Sequence, residues 1–322
     1  MRIAMTVFGS LIAFGVGGSV LLPHPTAARY RAWNFNTSLD GDAEKVTCSD
    51  LKMSFWDSRQ GDVANVRRDQ TVSITQSAST PLRVNTAPHC GIRVQPSADG
   101  SYSATICQVA AAKTRAQADD ILDDVRADYS SGELRVTGPD DNWGCYVILN
   151  IPKGTVLNLR AENGELSLRD VDGKFDLHSA NGPISLNHVS GTVNVRARNG
   201  PVDIKGGSGD VVIACDNGPI GVKLDKLVWE GRGLDASTQN GPIMVVIPKN
   251  LRTGVRVQGS ENSPLQWSGW SGDHWGIDDE DGSKVFRFGS EPTKVRISTG
   301  SGPISIKPIG GEGKVKTKSK RI

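Results

Sequence analysis

The side chains of this 322-residue sequence that could do chemistry are few and scattered. The five cysteines, Cys48, Cys90, Cys107, Cys145 and Cys215, contain no CxxC pair, which excludes a zinc ribbon and a thioredoxin-type motif. His89, His178, His188 and His274 lack the spacing of metal ligands. A nucleophile elbow, an HExxH helix and a P-loop are all missing. Gly231-Arg232-Gly233-Leu234-Asp235-Ala236 fits the loose dinucleotide pattern but opens no periodic helix, so it does not predict nucleotide binding. Asp278-Asp279-Glu280-Asp281-Gly282 is the densest carboxylate run. It lacks the spacing and the terminal glutamate of a calcium loop and reads as a solvated acidic loop. The expectation is therefore no catalytic set, no metal and no cofactor.

Trp267, Trp270 and Trp275 are the candidate ligand-binding residues. They are interleaved with Gly269, Gly272 and Gly276, and exposed rings on such a loop would stack on sugars or anchor a partner. The competing and favoured expectation is that they plug the C-terminal end of the core.

The positioning elements are legible as a repeat. Asn-Gly recurs at Asn163, Asn181, Asn199, Asn217 and Asn240, in steps of 18, 18, 18 and 23 residues. Four copies continue with proline and a β-branched residue: Pro183-Ile184, Pro201-Val202, Pro219-Ile220 and Pro242-Ile243. Ser301-Gly302-Pro303-Ile304 is a late variant. A second glycine follows at Gly173, Gly191 and Gly209, so each unit is two halves of turn plus strand. Apolar residues alternate within the halves, as in Val202/Ile204 and Val193/Val195, which is the period of a half-buried strand. A fixed short period predicts stacked coils sharing one core, with the asparagines forming an amide ladder. Leu186, Ile204 and Val222 should be buried, and Asn187, Lys205 and Lys223 exposed. A small-residue column, Ala161, Ser179, Ala197, Cys215 and Thr238, marks a tight inward corner and predicts a free, inert Cys215 thiol.

Stacked coils can carry glycan-cleaving carboxylates only where these converge. The outward columns read Ser167, Ser185, Asp203, Gly221, then Arg169, Asn187, Lys205, Lys223, then Asp176, Asn194, Val212. No column pairs carboxylates on adjacent coils, which argues against an enzyme.

The Asn-Gly-x-Ile coils, the segments Ile151-Pro152-Lys153 and Ile247-Pro248-Lys249, and Cys48-Ser49-Asp50-Leu51 resemble a bacterial "putative adhesin" family, a domain of unknown function. The resemblance covers roughly residues 45 to 308. It implies a β-solenoid that is often exported or membrane-associated, and it supplies no catalytic residues.

Outside the coils, residues 1–28 read as a secretory signal, with Arg2, an apolar stretch from Ile3 to Leu22, and Thr26-Ala27-Ala28 before Arg29. An uncleaved anchor is the alternative. Residues 29–69 form an N-terminal β segment, and Pro81–Val84 with Gly91–Val94 form a degenerate first coil in which Cys90 replaces the asparagine. Thr114 and Gln117 begin a helix near residues 115–129, expected to cover an open end, whose acids Asp119, Asp120, Asp123 and Asp124 form a solvated face. The solenoid is expected over 70–308 with a Trp-rich insertion at 261–285. Residues 309–322 are expected to form a basic, disordered tail carrying Lys314, Lys316, Lys318, Lys320 and Arg321. Export favours disulfides. A hairpin looping at Ala98-Asp99 sets Cys90 opposite Cys107 and leaves Cys48 to pair with Cys145.

The fold expectation is all-β, a single-chain β-solenoid resembling a parallel β-helix, with 18-residue coils and one embedded helix. Lys+Arg 37 against Asp+Glu 35 leaves a net charge of +2, too little to draw nucleic acid. The functional expectation is a non-catalytic, exported, adhesin-like or scaffold protein, in the periplasm or at the cell surface, that binds an envelope polymer or protein. Membrane contact would come only through an uncleaved N-terminus or the basic tail. The alternatives are a carbohydrate-active enzyme and an envelope-stress sensor or regulatory partner.

Overall fold

The computed structural model describes residues 33–36, 45–55, 64–77, 80–261, 263–270, 275–280 and 282–309. The signal-like leader, the basic tail, His274 and Asp281 lie outside the described residues. The structure is predominantly β, with one α-helix among the described residues. A 12-stranded and an 11-stranded sheet, neither of them closed, enclose one continuous apolar core, and a two-stranded sheet pairs 33–36 with 52–55.

The repeat sets the topology. Strands Thr155–Ala161, Asp172–Ser179, Ser190–Asn199, Asp210–Asn217 and Gly233–Asn240 lie side by side and parallel in the larger sheet. Strands Leu166–Arg169, Ile184–Asn187, Val202–Lys205, Ile220–Lys223 and Ile243–Ile247 do the same in the smaller one. Each unit thus visits both sheets and returns one place further along. Leu186, Ile204 and Val222 stand in register and are buried. Lys223 is exposed, but Asn187 and Lys205 are only half-buried rather than exposed.

Backbone contact at the turns holds the register. A Cβ on Gly182, Gly218 or Gly241 would lie 2.0, 2.1 and 2.0 Å from the carbonyl oxygen of the equivalent glycine in the preceding unit, so no side chain fits there. The carbonyls of Pro201, Pro219 and Pro242 accept from the amides of Ile184, Val202 and Ile220. Proline lacks a donor but keeps its acceptor, so it sits at this corner without breaking the ladder. Ser301-Gly302-Pro303-Ile304 is a full unit: Ser301 stands in register with Asn240, and Ile304 with Ile243. The longer step from Asn217 to Asn240 is filled by a loop whose Trp229 is buried, its indole Nε1 donating to the Gly209 carbonyl at 3.1 Å.

The N-terminal end departs from expectation. Strand Trp143–Ile151 runs between Gly91–Pro96, parallel to it, and Ser103–Ala112, antiparallel to it. The expected hairpin between residues 93–96 and 102–106 therefore does not form, and the predicted disulfides are corrected. Cys48 is bonded to Cys107 and Cys90 to Cys145. The inserted strand brings Cys145 beside Cys90, and Cys107 faces the opposite side of its strand. There it meets residues Val46 to Leu51, which pack on the outer face of the sheet with Val109, Tyr146 and Ile148. Residues 81–94 do form a first unit, with Leu82 opposite Leu157 and Ile92 opposite Leu166. Cys90 aligns with Gly164 rather than with Asn163; the Cβ position of Gly164 lies 2.0 Å from the Cys90 carbonyl oxygen.

The helix spans Arg115–Asp123, shorter than expected. Thr114 caps it by accepting from the Gln117 amide at 3.3 Å. Asp123 and Asp124 oppose the helix dipole at its C-terminus, and Ser131-Gly132 at positive φ turns the following chain into a hairpin, Arg126–Ser130 with Glu133–Thr137. Ala118 and Leu122 bury the helix against strands Ser103–Ala112 and Ala64–Ser73 at this end of the core.

At the C-terminal end, strand Thr293–Ser301 lies between Gly233–Asn240 and Gly254–Gly259. Strands Ser283–Phe288 and Trp275–Glu280 extend that sheet, and Leu265–Trp267 extends the other along Ile304–Pro308.

Replacing Ile204, 4% exposed at mid-stack, with alanine should destabilise the fold by about 2–5 kcal/mol in urea denaturation while leaving the far-ultraviolet spectrum unchanged.

Candidate functional site

Register turns distant residues into neighbours, so the outer face of each sheet is a grid of columns about 4.8 Å apart. On the smaller sheet Arg93, Ser167, Ser185, Asp203 and Gly221 form one column. Arg93 is 5% exposed, and its Nη1 donates to Ser167 Oγ at 3.2 Å. Burial pulls its guanidinium down from the ordinary value, opposed by Tyr146 and Glu165. Tyr146 donates to Glu165 Oε2 at 3.0 Å, and burial pushes that phenol well up. Burial also raises the Asp203 carboxyl to about 6. Gly221 leaves room beside it: a Cβ there would stand 2.3 Å from Asp203 Oδ1, so a larger residue would push the carboxylate aside.

At the edge of this face His188 Nε2 lies 2.7 Å from Asp225 Oδ2, and its Nδ1 lies 3.4 Å from Asp170 Oδ1. Arg169 Nε adds a contact to Asp170 at 3.2 Å. Asp170 and His188 both adopt φ of 52°, the corner conformation that Gly206 repeats at 63°. Two carboxylates do meet here across one imidazole, but the hollow beside Asp225 holds only about 10 Å³, too little for a sugar. His178 is separately engaged, 3.3 Å from Asp176.

On the larger sheet one outward column is Arg160, His178 and Arg196, and a second is Arg83, Asn158, Asp176 and Asn194. Asn194 donates to Asp176 at 3.0 Å. Beside them runs the asparagine ladder. Asn181, Asn199, Asn217 and Asn240 each donate from Nδ2 to the preceding asparagine's Oδ1 at 2.9, 3.0, 3.2 and 3.1 Å, and Asn163 starts the chain. The small inward column bonds the same corners: Thr238 and Thr299 hydroxyls donate to the Gly218 and Gly241 carbonyls at 3.0 and 2.9 Å. Cys215 occupies that column as a free, buried thiol, and burial raises its pKa.

A groove of about 320 Å³ opens where this face meets the N-terminal end. Asn85, His89, Arg135, Asp140 and Trp143 line it, and Cys90 forms part of its wall. Burial lowers the His89 pKa. Trp143 Nε1 donates to the Pro139 carbonyl at 2.5 Å, which holds the groove's lip.

The three candidate tryptophans are brought together, as half-buried rings packed on the last unit. Trp267 stands opposite Ile306, and Trp270 lies 4.8 Å from the Phe288 ring with Nε1 donating to Ile306 O at 3.4 Å. Trp275 stacks on Phe286 at 6.4 Å. Each ring packs one side against the core and leaves the rest exposed. In the acidic run, Asp278 and Glu280 are held by Arg287, and Glu280 also by Arg256 at 2.7 Å. Gly231–Ala236 leads into strand Gly233–Asn240 rather than a helix. Cys48, Asp69 and Cys107 have donor atoms within 4.8 Å of one another, but the sulfurs are joined to each other. No described helix is long and apolar enough to cross a membrane.

The composition hid Arg83, Arg160, Arg196 and Arg198 and the groove. The signal was present as the two-unit spacing of Arg160 and Arg196.

No protein-family model matches the chain, and no curated protein matches it in sequence. The solved structures it is similar to include three bacterial proteins. One is a putative adhesin from Bacteroides fragilis, at 13% identity and a TM-score of 0.36 over 76% of this chain and 97% of that one. Another is a putative cell adhesion protein from Clostridium sporogenes, at 12% and 0.34 over 76% and 100%. The third is a putative lipid binding protein from Parabacteroides distasonis, at 10% and 0.35 over 76% and 96%. At TM-scores below 0.5 these likenesses carry no weight for function.

The folded-state value of Asp203, about 6, lies above the ordinary 3.8. Its contribution to stability is therefore complete below about pH 4 and is lost as pH rises through about 6. Asp203→Asn should match the parent protein in urea denaturation near pH 4 and exceed it near pH 7.5.

Proposed function

We propose that the chain is an exported β-solenoid that serves as a non-catalytic, adhesin-like scaffold, holding an envelope polymer or protein against the outer face of its larger sheet. The observation that carries this reading is the register of that face. Strands from Thr155 to Asn240 keep matched partners along their length, so polar side chains recur at strand spacing on a rigid surface. Such a surface suits a long ligand with its own repeat. Two disulfides support an extracytoplasmic setting. The disulfides tie down the N-terminal end, and the tryptophan plug packs against the last unit at the other, consistent with a scaffold that keeps its shape outside the cell.

The carboxylates of the columns remain on separate units or are engaged by arginine and histidine, which favours binding over glycan cleavage. The test is co-sedimentation of the full-length, oxidised chain with fractionated cell envelope. The expected result is retention by a wall or membrane-associated fraction with no release of new reducing ends. Retention by no fraction, or steady release of reducing ends, would contradict the proposal.

A further inference from the structure

Most described arginines have a partner. Arg68, Arg115, Arg135, Arg169, Arg232, Arg252, Arg256 and Arg287 contact carboxylates, Arg93 meets Ser167, and Arg67, Arg126 and Arg296 donate to backbone carbonyls. Arg83, Arg160, Arg196 and Arg198 are exposed and make no ion pair among the described residues. All four stand on one side of the larger sheet. The strands are adjacent: Leu82–Asn85 pairs with Thr155–Ala161, which pairs with Asp172–Ser179, which pairs with Ser190–Asn199. Arg160, His178 and Arg196 occupy one column, Arg83 stands opposite Asn158 two residues before Arg160, and Arg198 follows Arg196 on the same face. Exposed arginines this close repel one another unless an anion lies across them.

We propose that this strip is the binding site for a linear glycan bearing carboxylates, of the uronic-acid type; the inference rests on the scaffold reading above. From Arg83 to Arg198 the strip crosses three strand intervals, roughly 14 Å, about the length of three sugar rings. The guanidinium fork matches a carboxylate in two parallel hydrogen bonds. Between the arginines lie Asn158, Asn194 and Asp176, half-buried or partly exposed amide and carboxylate groups suited to sugar hydroxyls. The ring in these columns is the His178 imidazole, which Asp176 engages at 3.3 Å, so no run of aromatic platforms is offered to stacked bases. The strip runs toward the groove through Asn85, which stands opposite both Arg160 and Arg135. A groove of about 320 Å³ is sized for a terminal sugar.

The experiment compares the full-length oxidised chain with the Arg160→Gln, Arg196→Gln, Arg198→Gln triple variant. Binding is measured to polygalacturonate, dextran sulfate, dextran and single-stranded DNA at two salt concentrations. The substituted residues are exposed, so the thermal midpoint should not change. The expected result is preferential binding to polygalacturonate, weakened about tenfold or more by the triple substitution and by raised salt. Equal binding by parent and variant, equal binding to dextran, or tighter binding to dextran sulfate or DNA overturns the inference. If envelope retention survives in the variant at parental strength, the scaffold reading stands and this ligand assignment falls. If the parent is retained by no envelope fraction, the scaffold reading itself fails.

Discussion

The structure depends on how closely its turns approach. At Gly164, Gly182, Gly218 and Gly241 the backbone of one unit touches the backbone of the unit before it, with 2.0 to 2.1 Å between a hypothetical Cβ and the carbonyl oxygen below. Nothing larger than hydrogen can stand there, so the units stack at one height and in one register. The parallel ladders of both sheets, the asparagine column and the buried hydroxyl column all follow from that contact. From Asn181 onward each asparagine amide donates to the one before it, which adds a side-chain ladder to the backbone contact.

A stack of this kind has two ends, and they are finished differently. At the N-terminal end the chain leaves the parallel pattern, inserts strand Trp143–Ile151 between earlier strands, and ties the arrangement with Cys48–Cys107 and Cys90–Cys145. Helix Arg115–Asp123 lies over strands Ser103–Ala112 and Ala64–Ser73. At the other end Trp267, Trp270 and Trp275 pack on Ile306, Phe286 and Phe288. These rings lend one side to the fold and stay half-buried, whereas the arginines of the sheet face are exposed.

The middle of the molecule was legible in the sequence because its determinants are local. Asn-Gly-Pro-Ile names the corner, and the apolar alternation names the inward side. Even the displaced unit at Ser301 could be recognised from four residues. The disulfides were not legible, because their pairing follows from a strand contributed some 50 residues away in the chain. A local hairpin was the simpler pairing, and it lost to the longer parallel and antiparallel ladders that Trp143–Ile151 makes with both neighbours. The helix end was misjudged for a related reason: Val125 and Tyr129 keep helical spacing, but the Ser131-Gly132 turn recruits Tyr129 to a hairpin. The arginine strip could be seen only once register was known, since Arg83, Arg160 and Arg196 are neighbours in space and far apart in the chain.

A face built by register is as regular as the register itself, and both the fold and the proposed binding surface stand on the 18-residue step. The most direct test removes part of the stack. Deleting residues 182–199 joins Asn181 to Gly200 and excises one whole unit. Deleting residues 182–190 excises half of one and would send every later strand toward the wrong sheet. The account predicts that the whole-unit deletion keeps a β spectrum, a single cooperative thermal transition and both disulfides, while the half-unit deletion loses the cooperative transition. If the two deletions behave alike, whether both folded or both unfolded, the stacking account is contradicted.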